Sequence, residues 1–192
     1  MKILVATEKP FAAAAVNGIR EIVEGAGHEL ALLEKYTEKE QLLEAVADAD
    51  ALIVRSDKVT ADVVAAAKQL KIVVRAGAGY DNLDLPSCTE RGIVAMNTPG
   101  QNSNAVAELA LGLMIYMCRN QFNPGTGSEL SGKTIGIQGF GNIGQLVAKK
   151  AVGLGMNVII LAPQPSEKHQ GWNTVPTIEE LYSKSNFVSV NI

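Results

Sequence analysis

The stretch Thr134–Gln145, TIGIQGFGNIGQ, decides how the rest of the chain is read. An apolar run ends in Gly139-Phe140-Gly141-Asn142-Ile143-Gly144, a G-x-G-x-x-G spacing. A helical pattern follows, with Ile143, Val147, Ala151 and Leu154 on one side and Lys149 and Lys150 facing out. Strand, glycine turn and helix in that order turn a weak pattern into a phosphate cradle. Gly139 permits the tight turn, Gly141 leaves room for a pyrophosphate, and Gly144 lets helix and strand pack closely. Free N–H groups at the helix start and the helix dipole both favour an anion there.

A unit that grips NAD ends its second strand, about twenty positions on, in an acid that accepts from the ribose hydroxyls. The second strand here is NVIILA, Asn157–Ala162, followed by PQPSEKHQ. Ala162 offers no acceptor. Two readings compete: the site admits the 2′-phosphate of NADP, with Ser166, Lys168 or His169 as neighbours, or it holds NAD with a weakened ribose grip. NADP sites usually place an arginine here, and none is present, so weakened NAD binding is preferred.

Working outward, short apolar runs alternate with helical patterns. KILVA (2–6), ELALL (29–33), ALIVR (51–55), KIVVR (71–75) and IVAMN (93–97) read as strands. Their near-continuous apolarity fits parallel strands covered on both faces. Helices lie between them: Leu42, Leu43 and Val46 share one side of residues 38–50, and Thr60 precedes Val63, Val64 and Ala67 as an N-cap. The Ala12–Ala15 run also falls in a helix. This repetition predicts a doubly wound α/β sheet over residues 1–100.

The second block, 101–192, opens with a long helix, QNSNAVAELALGLMIYMCRN, capped by Asn102 or Ser103 and apolar on every side. Such a helix is expected to be covered all round, between domains or between subunits. NQFNPGTGSELSG is a linker. Three strands follow, Lys133–Gln138, Asn157–Ala162 and Asn186–Ile192, with a short helix capped by Thr177 before the last.

Composition excludes other classes. Apolar residues make up 47% of 192 and the net charge is −3, so a large core is expected and no basic face points to nucleic acid or an anionic membrane. No run approaches a membrane span of ~20 apolar residues, and the start, MKILVATEKP, is too short an apolar run for a signal peptide. A soluble cytoplasmic protein is the expectation. Cys88 and Cys118 form no metal or disulfide pattern and read as buried thiols.

Five motifs occur in order: VRSDKVT (54–60), VVRAGAGYDNLDL (73–85), MNTPGQNSNAVAE (96–108), GKTIGIQGFGNIGQ (132–145) and GMNVII (155–160). Together they resemble the D-isomer-specific 2-hydroxyacid dehydrogenases, and within them the compact branch that oxidises 3-phosphoglycerate with NAD on the way to serine. The resemblance covers essentially the whole chain. It implies a flavodoxin-like substrate domain followed by a Rossmann domain. It places Arg55 and Ser56 at the substrate cleft, where an arginine suits a carboxylate and a phosphate. Arg75, Gly77, Ala78 and Gly79 match a loop whose N–H groups meet the substrate carboxylate. Asn102 and Ser103 match the start of the inter-domain helix beside the cleft, and that helix (102–120) packs the family's homodimer. Gly139, Gly141, Asn142, Ile143 and Gly144 match the pyrophosphate loop, and Ala162 departs from the family's usual aspartate.

Oxidising a hydroxyacid also needs a proton acceptor. His28 sits in a turn before a strand and reads as structural; His169 sits in a polar loop and reads as solvated. In the family, the catalytic Arg, Glu and His (Lys in some compact members) follow the strand equivalent to NFVSVNI, and so would fall beyond Ile192. The roughly 60 residues of the second sheet region are marginal as an independent core. The expectation is a chain lacking the family's C-terminal half and unable to turn over. Two functions stay open: that of the parent dehydrogenase, or a non-catalytic module that holds a nucleotide or pairs with other subunits.

Overall fold

The computed structural model describes all of residues 1–192, which divide into two compact units, Met1–Gln101 and Asn102–Ile192. In the first, β1 (Lys2–Thr7), α1 (Ala13–Gly25), β2 (Glu29–Glu34), α2 (Lys39–Val46), β3 (Ala51–Val54), α3 (Ala61–Ala66), β4 (Ile72–Arg75), α4 (Leu85–Glu90) and β5 (Val94–Asn97) alternate along the chain. The sheet order is β2-β1-β3-β4-β5 and every pairing is parallel. That is the doubly wound, flavodoxin-like order, with its direction reversing between β1 and β3.

Central strands behave as their apolar runs require: Leu4, Val5, Ala6, Leu52 and Val54 are buried. The edge strands do not. Leu32 on β2 and Val94 and Met96 on β5 are exposed, because an edge strand has a neighbour on one side only. Val46, Val63, Val64 and Ala67 close the core from the helices. Thr60 precedes α3 but does not cap it with its side chain. Its hydroxyl turns instead to Asp62, which also pairs with Lys39 of α2. Asp84 caps α4 by accepting from the Ser87 N–H at 3.0 Å. Cys88 beneath it is buried, and that burial pushes its thiol pKa up.

The second unit contains α5 (Ser103–Cys118), β6 (Thr134–Gln138), α6 (Asn142–Gly153), β7 (Asn157–Leu161), β8 (Asn173–Val175), α7 (Ile178–Ser183) and β9 (Phe187–Val190). Its sheet runs β8-β7-β6-β9, all parallel. Counted within the unit this is 3-2-1-4, the order in which a Rossmann sheet begins. There are four strands where three were expected. The extra strand, β8, is short and opens on Asn173 and Thr174, so it carries no apolar run to read.

Ala107 and Leu111 of α5 pack with Ile135, Ile137, Val147, Ala151 and Ile160. The all-round cover expected for α5 is absent in the single chain: Leu109, Leu113 and Met117 are exposed. Neither Asn102 nor Ser103 caps it as expected; Asn102 takes the N-cap position without a side-chain hydrogen bond, and Ser103 is buried. Leu154 lies past the end of α6 and is exposed rather than inward-facing, and Lys150 pairs with Glu108 of α5 at 3.4 Å. Thr177 does cap α7, accepting from the Glu180 N–H at 3.2 Å. No helix is long and apolar enough to cross a membrane.

Hydrogen bonds from Lys39 and then Thr60 lower the Asp62 pKa to about 2. A depressed carboxyl pKa adds stability above the unfolded-state value, and that contribution is lost as pH falls through about 2. Side-chain NMR titration should place Asp62 there, and Lys39→Met should return it toward the ordinary carboxylate range. An Asp62 titration unchanged by Lys39→Met would mean that the pair does not form in solution.

Candidate functional site

Register places the first cluster. Val54 of β3 lies opposite Arg75 of β4, so Arg55 and Arg75 both emerge at the C-terminal edge of the sheet. The Arg75 Nε–H donates to the Arg55 carbonyl at 2.9 Å. Its guanidinium lies across Gly77, where an added Cβ would fall inside 3.0 Å of it. A side chain at 77 would push the guanidinium off this path. Asn97 Nδ2 donates to the Ala78 carbonyl at 2.7 Å and the Thr98 N–H to the Gly77 carbonyl at 2.9 Å, bracing the loop. Arg55, Ser56 and Gly79 are exposed, and Arg75, Gly77 and Ala78 are half-buried. The edge thus presents two guanidinium groups beside a glycine-rich backbone, a combination suited to a doubly anionic small molecule.

Sequence reasoning passed over the groups beneath this edge. Asp57, only 5% exposed, accepts from the Tyr36 hydroxyl at 2.7 Å and from the Glu8 N–H at 2.8 Å. Burial, and then the bond to Asp57, hold the Tyr36 pKa well above the usual phenol range. The available signal was an aspartate placed two residues after a strand-end arginine, with a tyrosine two residues past the end of β2.

In the second unit the glycine loop joins β6 to α6. Gly139 adopts φ +89°, a conformation open to glycine at little cost. A Cβ on Gly144 would meet the Gly139 carbonyl oxygen inside 3.0 Å, so helix and turn touch through bare backbone. Gly141, at the N-cap of α6, has nothing within 4 Å of its Cβ position and no side-chain cap. The N–H groups of Asn142, Ile143 and Gly144 therefore border open space at the positive end of a 12-residue helix. That space fits the pyrophosphate of a dinucleotide.

Ala162 follows β7, is buried, and donates its N–H to the Val175 carbonyl at 2.9 Å. No acceptor stands at this position. Residues after it fold back on the glycine loop. His169 is buried, contrary to its reading as solvated: its ring stacks on Phe140 at 5.5 Å, and Trp172 meets the same Phe140 edge-on at 5.7 Å. Its Nδ1 accepts from the Ser166 N–H at 3.0 Å. Both Ser166 and His169 are thus occupied in closing their own turn, and Lys168 is exposed. His28 precedes β2, at the N-terminal edge of its sheet, half-buried with an unpartnered Nδ1. His28 therefore lies at the opposite edge of its sheet from Arg55–Gly79. No group of three or more His, Cys, Asp or Glu side chains is gathered to hold a metal.

The family model described as D-isomer specific 2-hydroxyacid dehydrogenase, catalytic domain, matches residues 5–185. A crystal structure of NAD+-bound 3-phosphoglycerate dehydrogenase from Entamoeba histolytica superposes with a TM-score of 0.90 at 49% identity, covering 100% of this chain and 62% of that one. Hydroxypyruvate reductase of Thermotoga maritima is 40% identical over 178 residues, 85% of this chain and 58% of the relative. D-3-phosphoglycerate dehydrogenase of Methanocaldococcus jannaschii is 42% identical over 171 residues, 80% of this chain and 33% of the relative. The chain thus spans well under two thirds of the curated relatives it matches.

The second and third glycines of the G-x-G-x-x-G are separable by stability. Gly141→Ala fills open space and should change unfolding free energy by no more than about 0.5 kcal/mol. Gly144→Ala drives a Cβ into backbone and should cost about 2 kcal/mol or more. Chemical denaturation of both variants checks this; equal losses would mean the loop relaxes around either methyl. The glycine loop, the ordered motifs and the match across residues 5–185 establish that this chain belongs to the D-isomer-specific 2-hydroxyacid dehydrogenase family.

Proposed function

We propose that the chain carries the substrate and cofactor sites of an NAD-dependent dehydrogenase acting on 3-phosphoglycerate. The observation that carries this reading is the pair Arg55 and Arg75, delivered to one sheet edge and linked through the Arg55 carbonyl. Two guanidinium groups match a substrate with a carboxylate at one end and a phosphate at the other. The N–H groups of Gly77, Ala78 and Gly79 hold the carboxylate, and Ser56 donates to it. Asn102 and Ser103, matched by the family resemblance, are further substrate-side candidates, although Ser103 is buried within its own unit. The relative solved with NAD+ and the open space at Gly141 support NAD as the cofactor, with Asn142, Ile143 and Gly144 donating to its pyrophosphate. NAD, when bound, supplies the hydride acceptor. Ala162 leaves the ribose without its carboxylate, so the affinity is lower than an acid would give. The exposed face of α5, Leu109, Leu113 and Met117, pairs two copies, and the protein works in the cytoplasm.

The proton is a separate matter. His28 lies at the opposite sheet edge from the two arginines, and His169 is engaged in closing its own turn. Residues 1–192 by themselves therefore bind substrate and cofactor without turning them over.

Calorimetry should find 3-phosphoglycerate binding at least about tenfold tighter than D-lactate, which lacks the phosphate. Arg75→Gln should abolish that difference; equal binding of the two acids by the unaltered chain would sink the phosphate reading. NAD should bind, Gly141→Ala should weaken it, and Ala162→Asp should strengthen NAD relative to NADP. Tighter binding of NADP than NAD would reverse the cofactor assignment. NADH formation followed by absorbance should stay at background for the 192-residue chain, and a rate clearly above it would refute the inactivity.

A further inference from the structure

Asp57 is the sole carboxylate among the buried residues, and it forms no ion pair. Burying a charge without a counter-ion is unfavourable unless hydrogen bonds replace its water. Here they come from the loops that follow two other strands, β1 and β2. Glu8, after β1, donates its N–H to Asp57 Oδ1 at 2.8 Å; Tyr36, after β2, donates its hydroxyl to the same oxygen at 2.7 Å. Asp57 itself follows β3. Asn82, after β4, donates Nδ2 to the Asp57 carbonyl at 2.8 Å, and its own carbonyl accepts from the Val59 N–H at 2.8 Å. The residue before Tyr36, Lys35, stands at φ +58°. A non-glycine residue there is strained by about 1–2 kcal/mol, and the turn it makes delivers the Tyr36 hydroxyl to Asp57.

One further link reaches the functional edge. Asp57 is two residues past Arg55, whose carbonyl orients the Arg75 guanidinium. We propose that Asp57, with Tyr36, is a positioning residue: its carboxylate fixes the turn that presents Arg55 and Ser56 and the carbonyl that aims Arg75, without touching the anion. The inference rests on the reading of that edge as an anion site.

Four variants of the 192-residue chain test it: Asp57→Ala, Asp57→Asn, Tyr36→Phe and, as a control in the same core, Val46→Ala. Two signals are followed at a temperature where circular dichroism shows all of them folded. One is calorimetric affinity for 3-phosphoglycerate; the other is solvent-exchange protection of the Arg75 Nε–H by NMR. Tyr36→Phe keeps the ring and loses only the donor, so it remains informative even if Asp57→Ala fails to fold. Asp57→Ala and Tyr36→Phe should each weaken binding by about tenfold and expose the Arg75 Nε–H. Asp57→Asn, which keeps an acceptor in place, should recover most of both. Val46→Ala should lower the melting temperature and leave both signals unchanged. Wild-type affinity and protection in Tyr36→Phe would overturn the proposal, as would equal weakening in Val46→Ala. If the unaltered chain binds no 3-phosphoglycerate but Tyr36→Phe still loses Arg75 protection, the positioning role stands and the anion reading fails.

Discussion

Parallel pairing is the constraint from which the rest of the first unit follows. When β1, β3 and β4 all run the same way, their outgoing loops must open at one edge of the sheet. The pairing of Val54 with Arg75 then leaves no freedom in where the two arginines emerge. Slip β4 by one residue and Arg75 would turn to the other face. The apolar interior enforces that register, since Leu52, Val54 and Val73 are all buried. Core packing and the placement of the two arginines are thus decided by the same hydrogen-bond ladder, at different ends of the strands.

The second unit solves a related problem by subtraction. An anion cradle needs backbone N–H groups close to a ligand, and side chains are what keep a ligand away. Gly141 leaves the space open, while Gly144 allows the helix to rest on the Gly139 carbonyl. Gly139 is itself hemmed in by the Asn191 carbonyl past the end of β9, so the shape of the turn depends on a strand far along the chain. Phe140, between the two glycines, points away into an aromatic group with His169 and Trp172. The loop therefore has a bare face and a packed face, and the packed face fixes the bare one.

Much of this was legible because it is local. The strand, glycine turn and helix at 134–153 carry their geometry in residue spacing, and the apolar runs of β1 and β3 announce two-sided burial. What escaped the sequence depends on contacts between distant residues. Strand β8 has no apolar signature and exists because β7 offers it an edge. His169 looked solvated because its neighbours in sequence are polar, whereas its partner Phe140 lies 29 positions earlier. The capping roles expected of Thr60 and Asn102 failed for a similar reason: Thr60 found Asp62 to bond instead, and Asn102 left its cap unmade. Asp57 could be seen as a residue type but not as a junction, since Glu8, Tyr36 and Asn82 converge on it only in the folded sheet.

Ala162 has a consequence that reaches past affinity. Its side chain is buried and its N–H is committed to Val175, so the strand end is held in place whether or not a nucleotide is near. A carboxylate there would be desolvated in the empty protein and compensated only by ribose hydroxyls. The folded state of such a variant would then draw part of its stability from its ligand, rising and falling with the supply of dinucleotide. With alanine the strand end is indifferent to that supply, and the fold does not depend on occupancy at that position.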